Sequence, residues 1–214
     1  LAARHIQAAC PTSGITLNTQ AQIDSFSSMY PGCTNMMYGI YISELIPGDI
    51  TNLNGLNQLT SVAYLQIYKN TSLVTLSGLD ALTSITGELH IWDNPGLISL
   101  DGLDALSTTM GNITIENNIA LNTISALHSL VAANGMTIEG NPSLNNLSGL
   151  HSLSSVMNDL SIRSNPGLTN LVGLDSLAIL GSLHISGNSG LTSLTGFSPS
   201  LTSINDLMVI EDNT

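Results

Sequence analysis

Basic residues are nearly missing from this chain. Arg4, Lys69 and Arg163 are the only three among 214 residues, against fifteen Asp and Glu, for a formal charge of −12. Such a chain cannot lay down the Lys/Arg footprint that neutralises phosphates, so nucleic acid and anionic membranes are excluded as expected partners. Charged residues amount to 8% and aromatics to 4%. An ordinary globular enzyme carries about three times that charge. No apolar run approaches the roughly 18 residues that span a bilayer, and "LAARHIQAA" at the start has no long apolar core of a signal peptide. The chain therefore reads as a mature, soluble protein, with membrane insertion not expected.

Cysteine is limited to Cys10 and Cys33. Two cysteines with no His between them are too few for a structural zinc site. A disulfide is the expected state, which points to an oxidising, extracellular setting, secreted or at the cell surface. Free buried thiols are the alternative.

What the chain does have is repetition. L-x-I-x-x-N recurs as "LQIYKN", "LHIWDN", "ITIENN", "MTIEGN", "LSIRSN", "LHISGN" and "MVIEDN", ending on Asn70, Asn94, Asn118, Asn141, Asn165, Asn188 and Asn213. A degenerate copy, "IYISEL", precedes them, which makes about eight coils of 23–25 residues. The alternation L-x-I has the period of a strand with one buried face. A second phrase, L-x-x-L-x-G-L-x-x-L, as in "LISLDGLDAL", turns further apolar residues inward, and N-P-G or N-P-S turns join the two. One such coil cannot bury its own apolar side, so the coils must stack into a mainly β solenoid with one parallel sheet. The aligned asparagines are expected to form an internal ladder.

Ahead of the coils, "NTQAQIDSFSSMYPG" reads as a short amphipathic helix, with Thr19 and Gln22 in capping-box spacing, Ile23 and Phe26 on one side, and Pro31-Gly32 as its stop. The expected organisation is an N-terminal extension over 1–9, a disulfide-closed cap over 10–38 and repeats over 39–214. No capping element follows "IEDNT", so the chain is expected to belong to a longer, multidomain protein.

The Cys-helix-Cys cap, "GCTNMMYGIYIS" and coils such as "LTSITGELHIWDNPGLISLDGL" together resemble the receptor L domain and related leucine-rich repeat modules of secreted, bacterial-type surface proteins. The resemblance runs from Cys10 onward. It departs from receptor lobes in having no cysteine-rich module and no second closing disulfide. It implies a right-handed leucine-rich-repeat solenoid that needs no cofactor and binds an extracellular protein or carbohydrate through its main sheet face.

On that face the outward strand positions should form two columns. The first holds Tyr41, Gln66, His90, Thr114, Thr137, Ser161 and His184; the second holds Tyr68, Trp92, Glu116, Glu139, Arg163, Ser186 and Glu211. Tyr41, Tyr64, Tyr68 and Trp92 would gather at one end, as a patch for a sugar ring or an apolar anchor. The alternative is that aromatics simply favour strands. Glu116 and Glu139 could approach the about 5 Å separation of a retaining glycosidase, but an open face has no cleft to tune a pKa, so no enzymatic activity is expected. A turn column, Asn57, Asp80, Asp104, His128, His151, Asp175 and Ser198, places two histidines between aspartates. Asp104, His128, His151 and Asp175 are thus candidate ligands of a divalent metal, against the plainer reading of alternating polar residues at an exposed turn.

The leading functional reading is an extracellular recognition or adhesion module. A structural spacer is a second. A third is an ice-binding solenoid, suggested by Thr75, Ser99, Thr123 and Ser193, although Asn146 and Asn170 interrupt that column.

Overall fold

The computed structural model describes residues 10–197 and 199–213. The expected extension over 1–9, Ser198 of the turn column and Thr214 lie outside the described residues.

The chain is mainly β, with one parallel sheet of twelve strands and little helix. In order come β1 (Ile15–Leu17), helix α1 (Gln20–Met29), β2 (Asn35–Ile42), β3 (Ser61–Tyr68), β4 (Ser84–Ile85), β5 (Leu89–Trp92), β6 (Thr108–Thr109), β7 (Ile113–Glu116), β8 (Ala132–Ala133), β9 (Met136–Glu139), β10 (Ser155–Arg163), β11 (Ile179–Ser186) and β12 (Met208–Glu211). Every L-x-I phrase is strand, and its Leu and Ile point into the core: Leu65, Ile67, Leu89, Ile91, Leu160 and Ile162 are fully buried. The inward segment behaves likewise, with Leu97, Leu100, Leu103 and Leu106 fully buried. Consecutive repeats pair in register, Leu65 with Leu89 and Leu89 with Ile113.

The asparagine of each repeat is fully buried from Asn70 to Asn188. Its Oδ1 accepts the backbone N–H of the preceding asparagine, as Asn94 Oδ1 does from Asn70 at 3.1 Å. Its Nδ2 donates to strand carbonyls, as Asn94 does to Ile67 at 2.9 Å and to Trp92 at 3.0 Å. Asparagine alone offers both an acceptor and a two-proton donor on a side chain this short. The residue before it is left-handed at every repeat: Lys69, Asp93, Asn117, Gly140, Ser164, Gly187 and Asp212 all have φ between 52° and 67°.

Three features were not legible in the repeat. A second ribbon, β4–β6–β8, runs beside β5–β7–β9, and the two join on the long strands β3 and β10. Its signal is the "TSV", "TSI", "STT" and "SSV" that precede each L-x-I phrase, and its hydroxyls bond along the stack, as Thr83 Oγ1 does to the Thr60 carbonyl at 3.0 Å. The inward segments also close into 3-10 turns at Asn54–Leu56, Ser125–Ser129 and Ser148–Leu150. Finally, the segment taken as the cap contributes strand itself: β1 pairs with β2, and β2 starts at Asn35, ahead of residue 39.

Helix α1 has the expected capping box, Thr19 accepting from Gln22 N–H while the Gln22 side chain accepts from Thr19 N–H. Ile23 and Phe26 are its buried face. It lies so close to the Asn54–Leu56 turn that a Cβ on Gly55 would fall 1.8 Å from the Ile23 carbonyl oxygen. Cys10 and Cys33 are bonded, with Cα atoms 4.9 Å apart. Closing a loop of this length contributes about 3 kcal/mol in the chain-entropy model.

Candidate binding face

Both outward columns are present as aligned rows. Tyr41, Gln66, His90, Thr114, Thr137, Ser161 and His184 are successive strand partners, as are Tyr68, Trp92, Glu116, Glu139, Arg163, Ser186 and Glu211. Most are half-buried; Ser161 is the buried one, at 7% exposure.

Tyr68 and Trp92 stack face to face, centroids 4.2 Å apart and planes within 4°. His90 lies against the same indole at 3.9 Å, and its Nε2 is 3.4 Å from Glu116 Oε2. These four side chains form one continuous group across two strand columns. Tyr41 and Tyr64 do not join it. The Tyr41 ring lies over Gly39, where an added Cβ would meet it at 3.0 Å, and the Tyr64 ring lies over Gly87, where an added Cβ would meet it at 2.5 Å. The expected four-aromatic patch is therefore a Tyr68–Trp92–His90 row, because the other two rings cover glycine backbone instead.

Glu116 and Glu139 are strand neighbours but are drawn apart, Glu116 toward His90 and Glu139 into a 2.9 Å ion pair with Arg163. Further along, His184 Nε2 is 3.9 Å from Glu211.

The Asp104, His128, His151 and Asp175 column aligns without converging. His128 and His151 rings are parallel but 6.5 Å apart. Their Nδ1 atoms lie 3.2 and 2.8 Å from the carbonyls of Ser125 and Ser148. Asp104 is 3.9 Å from His128, and its other oxygen accepts the N–H of Gly102 at 3.1 Å. Asp80 holds Gly78 in the same way. Among the described residues no group of three or more His, Cys, Asp or Glu is gathered to hold a metal ion. The aspartates serve the turn because glycines 78 and 102 have φ of 110° and 112°, a bend whose N–H groups need an acceptor.

The Ser/Thr column suggestive of ice binding has a local structural use. Thr75, Ser99, Thr123, Asn146, Asn170 and Ser193 each accept, through the side-chain oxygen, the backbone N–H two residues on. Asn replaces Ser or Thr there without loss because only a short-armed oxygen is required.

A feature missed from sequence lies where the two ribbons meet. Three residues separate the second-ribbon strand from the main strand in "ITGEL"-type repeats, as between Val156 and Leu160, but only two between Val62 and Leu65, Ala133 and Met136, and Leu180 and Leu183. A short repeat between two long ones leaves a notch in the face. The first notch holds the Tyr64 ring. The other two, with Gly135 and Ser182 in place of Tyr64, are open recesses of about 290 and 280 Å³ that share Thr137 and Asp159. The register shift between Val156 and Asp159 marks the boundary.

No helix among the described residues is long and apolar enough to cross a membrane. The chain matches no known protein family, no curated protein and no solved structure.

Proposed function

We propose that this chain is a right-handed leucine-rich-repeat solenoid of the receptor L domain kind, acting outside the cell as a non-enzymatic recognition and adhesion module. It takes a protein or a glycan through its sheet face. The single observation that carries the reading is the Tyr68–Trp92–His90 row with Glu116 at its edge. In a chain with one Trp and five Tyr, a stacked pair held half-exposed on a rigid sheet is a preorganised anchor. The Cys10–Cys33 disulfide supports an oxidising location.

Binding to an array of extracellular glycans and a panel of extracellular protein domains tests this. A ligand should be found whose affinity falls about 30-fold, near 2 kcal/mol, on Trp92→Ala, while thermal unfolding stays that of the parent. A ligand held equally well by Trp92→Ala and Tyr68→Ala, or no ligand for the folded protein in either panel, overturns the reading.

A further inference from the structure

We propose a second binding site, distinct from the aromatic row: the notch between β10 and β11 binds a neutral sugar ring through hydroxyl-directed hydrogen bonds. The repeat containing β10 is one residue longer across the ribbon junction than the repeat containing β11, so the pairing shifts register between Val156 and Asp159, and Asp159 then pairs with Ser182. The resulting recess, about 280 Å³, is just below the usual range for ligand pockets and suits a single ring.

The polar groups inside are ready for a ligand. Ser161 lines the recess, and its Oγ is buried with no hydrogen-bond partner in the protein. Arg163 lines it too, and its Nε is also buried and unpartnered, although the guanidinium Nη2 is held by Glu139. Unmade bonds of this kind are costly and rare in native proteins. Thr137, Asp159 and His184 complete the polar lining, and Leu207 supplies an apolar rim.

The mixture selects the ligand class. Asp159 accepts only, Arg163 donates only, and Ser161 and Thr137 do both, which matches the alternating demands of vicinal hydroxyls. An anion would meet Asp159, with Arg163 already neutralised by Glu139 and a chain of net charge −12 around it. A sugar also offers a C–H face to Leu207. The first notch of the same face shows how the recess is closed when it is not used, since Tyr64 occupies there the position that Ser182 holds here.

The test is an amide-resolved NMR titration of the whole chain with methyl glycosides of glucose, galactose and mannose, and with maltose and cellobiose, into the millimolar range. At least one should shift the amides of Thr137, Ser161, Ser182 and Leu207 saturably. Ser182→Tyr, which refills the notch as Tyr64 does, should abolish the shifts, and Ser161→Val should weaken binding about tenfold or more. Trp92→Ala should leave this binding unchanged, so failure here and failure of the aromatic-row reading are separable. No shift with any of the sugars, shifts confined to the Tyr68 and Trp92 end, undiminished binding by the folded Ser182→Tyr and Ser161→Val proteins, or saturation by inorganic phosphate or calcium in place of the sugars would each overturn the proposal.

Discussion

Asn118 Oδ1 accepts two hydrogen bonds from Asn94, one from its backbone N–H and one from its side-chain Nδ2, both at 3.1 Å. Asn118 in turn donates to the carbonyls of Ile91 and Glu116 at 3.0 Å and passes the pattern on to Asn141. The same relationship runs from Asn70 to Asn213, so the buried turns of seven repeats are tied by one residue type.

Removing a middle member should therefore cost more than one hydrogen bond. Asn118→Ala leaves the Asn94 N–H without its acceptor and takes one donor each from the Ile91 and Glu116 carbonyls, the latter keeping the Asp93 N–H; with about 1–3 kcal/mol for the orphaned group and about 1 kcal/mol for each lost bond, the loss should be about 3–5 kcal/mol. Asn118→Asp keeps the acceptor but turns a carboxylate toward the Ile91 and Glu116 carbonyls and should be at least as damaging. Urea unfolding with unchanged slope measures this; a loss below about 1 kcal/mol for both variants would refute the ladder's role.

Glu44 carries an acid-sensitive contribution. Partial burial pushes its carboxyl pKa up, but hydrogen bonds from Thr71 Oγ1 and from the backbone N–H groups of Thr71, Gly48 and Ile50 outweigh it and hold the pKa below its ordinary 4.5. A folded pKa below the unfolded one means stability that is present above the unfolded value and lost as pH falls through the folded one. The parent should lose stability more steeply than Glu44→Gln on acidification below pH 4.5. Parallel stability curves for the two proteins would sink this account.

Two backbone substitutions should have opposite signs. Gly102 has φ of 112°, and a Cβ there would sit 2.2 Å from the Leu76 carbonyl oxygen, so Gly102→Ala must displace backbone and should destabilise by about 3 kcal/mol or more. Ser164 holds φ of 55°, where a side chain is strained by about 1–2 kcal/mol. Ser164→Gly relieves that strain and gives back about 0.5–1 kcal/mol in chain entropy, leaving a gain of up to about 1.5 kcal/mol. Thermal unfolding of the pair checks both; a stabilising Gly102→Ala or a strongly destabilising Ser164→Gly would contradict these backbone assignments.

Whatever depends on neighbours along the chain could be read from the residues in order. The parallel strands, the buried leucines, the asparagine position, the capping box of α1 and the alignment of both outward columns follow from a side-chain period of two and a repeat near 24 residues. Tertiary structure decided which side chains meet. It stacked Tyr68 on Trp92 but laid Tyr64 over Gly87, turned Asp104 to the Gly102 N–H, and split the sheet into two ribbons. It also opened the notch at Ser161, because a one-residue difference in length between repeats is a small change in sequence but shifts the pairing register ahead of Asp159 only once the repeats are stacked. Periodicity is a local property, whereas a contact between residues some two dozen positions apart depends on how every intervening turn closes.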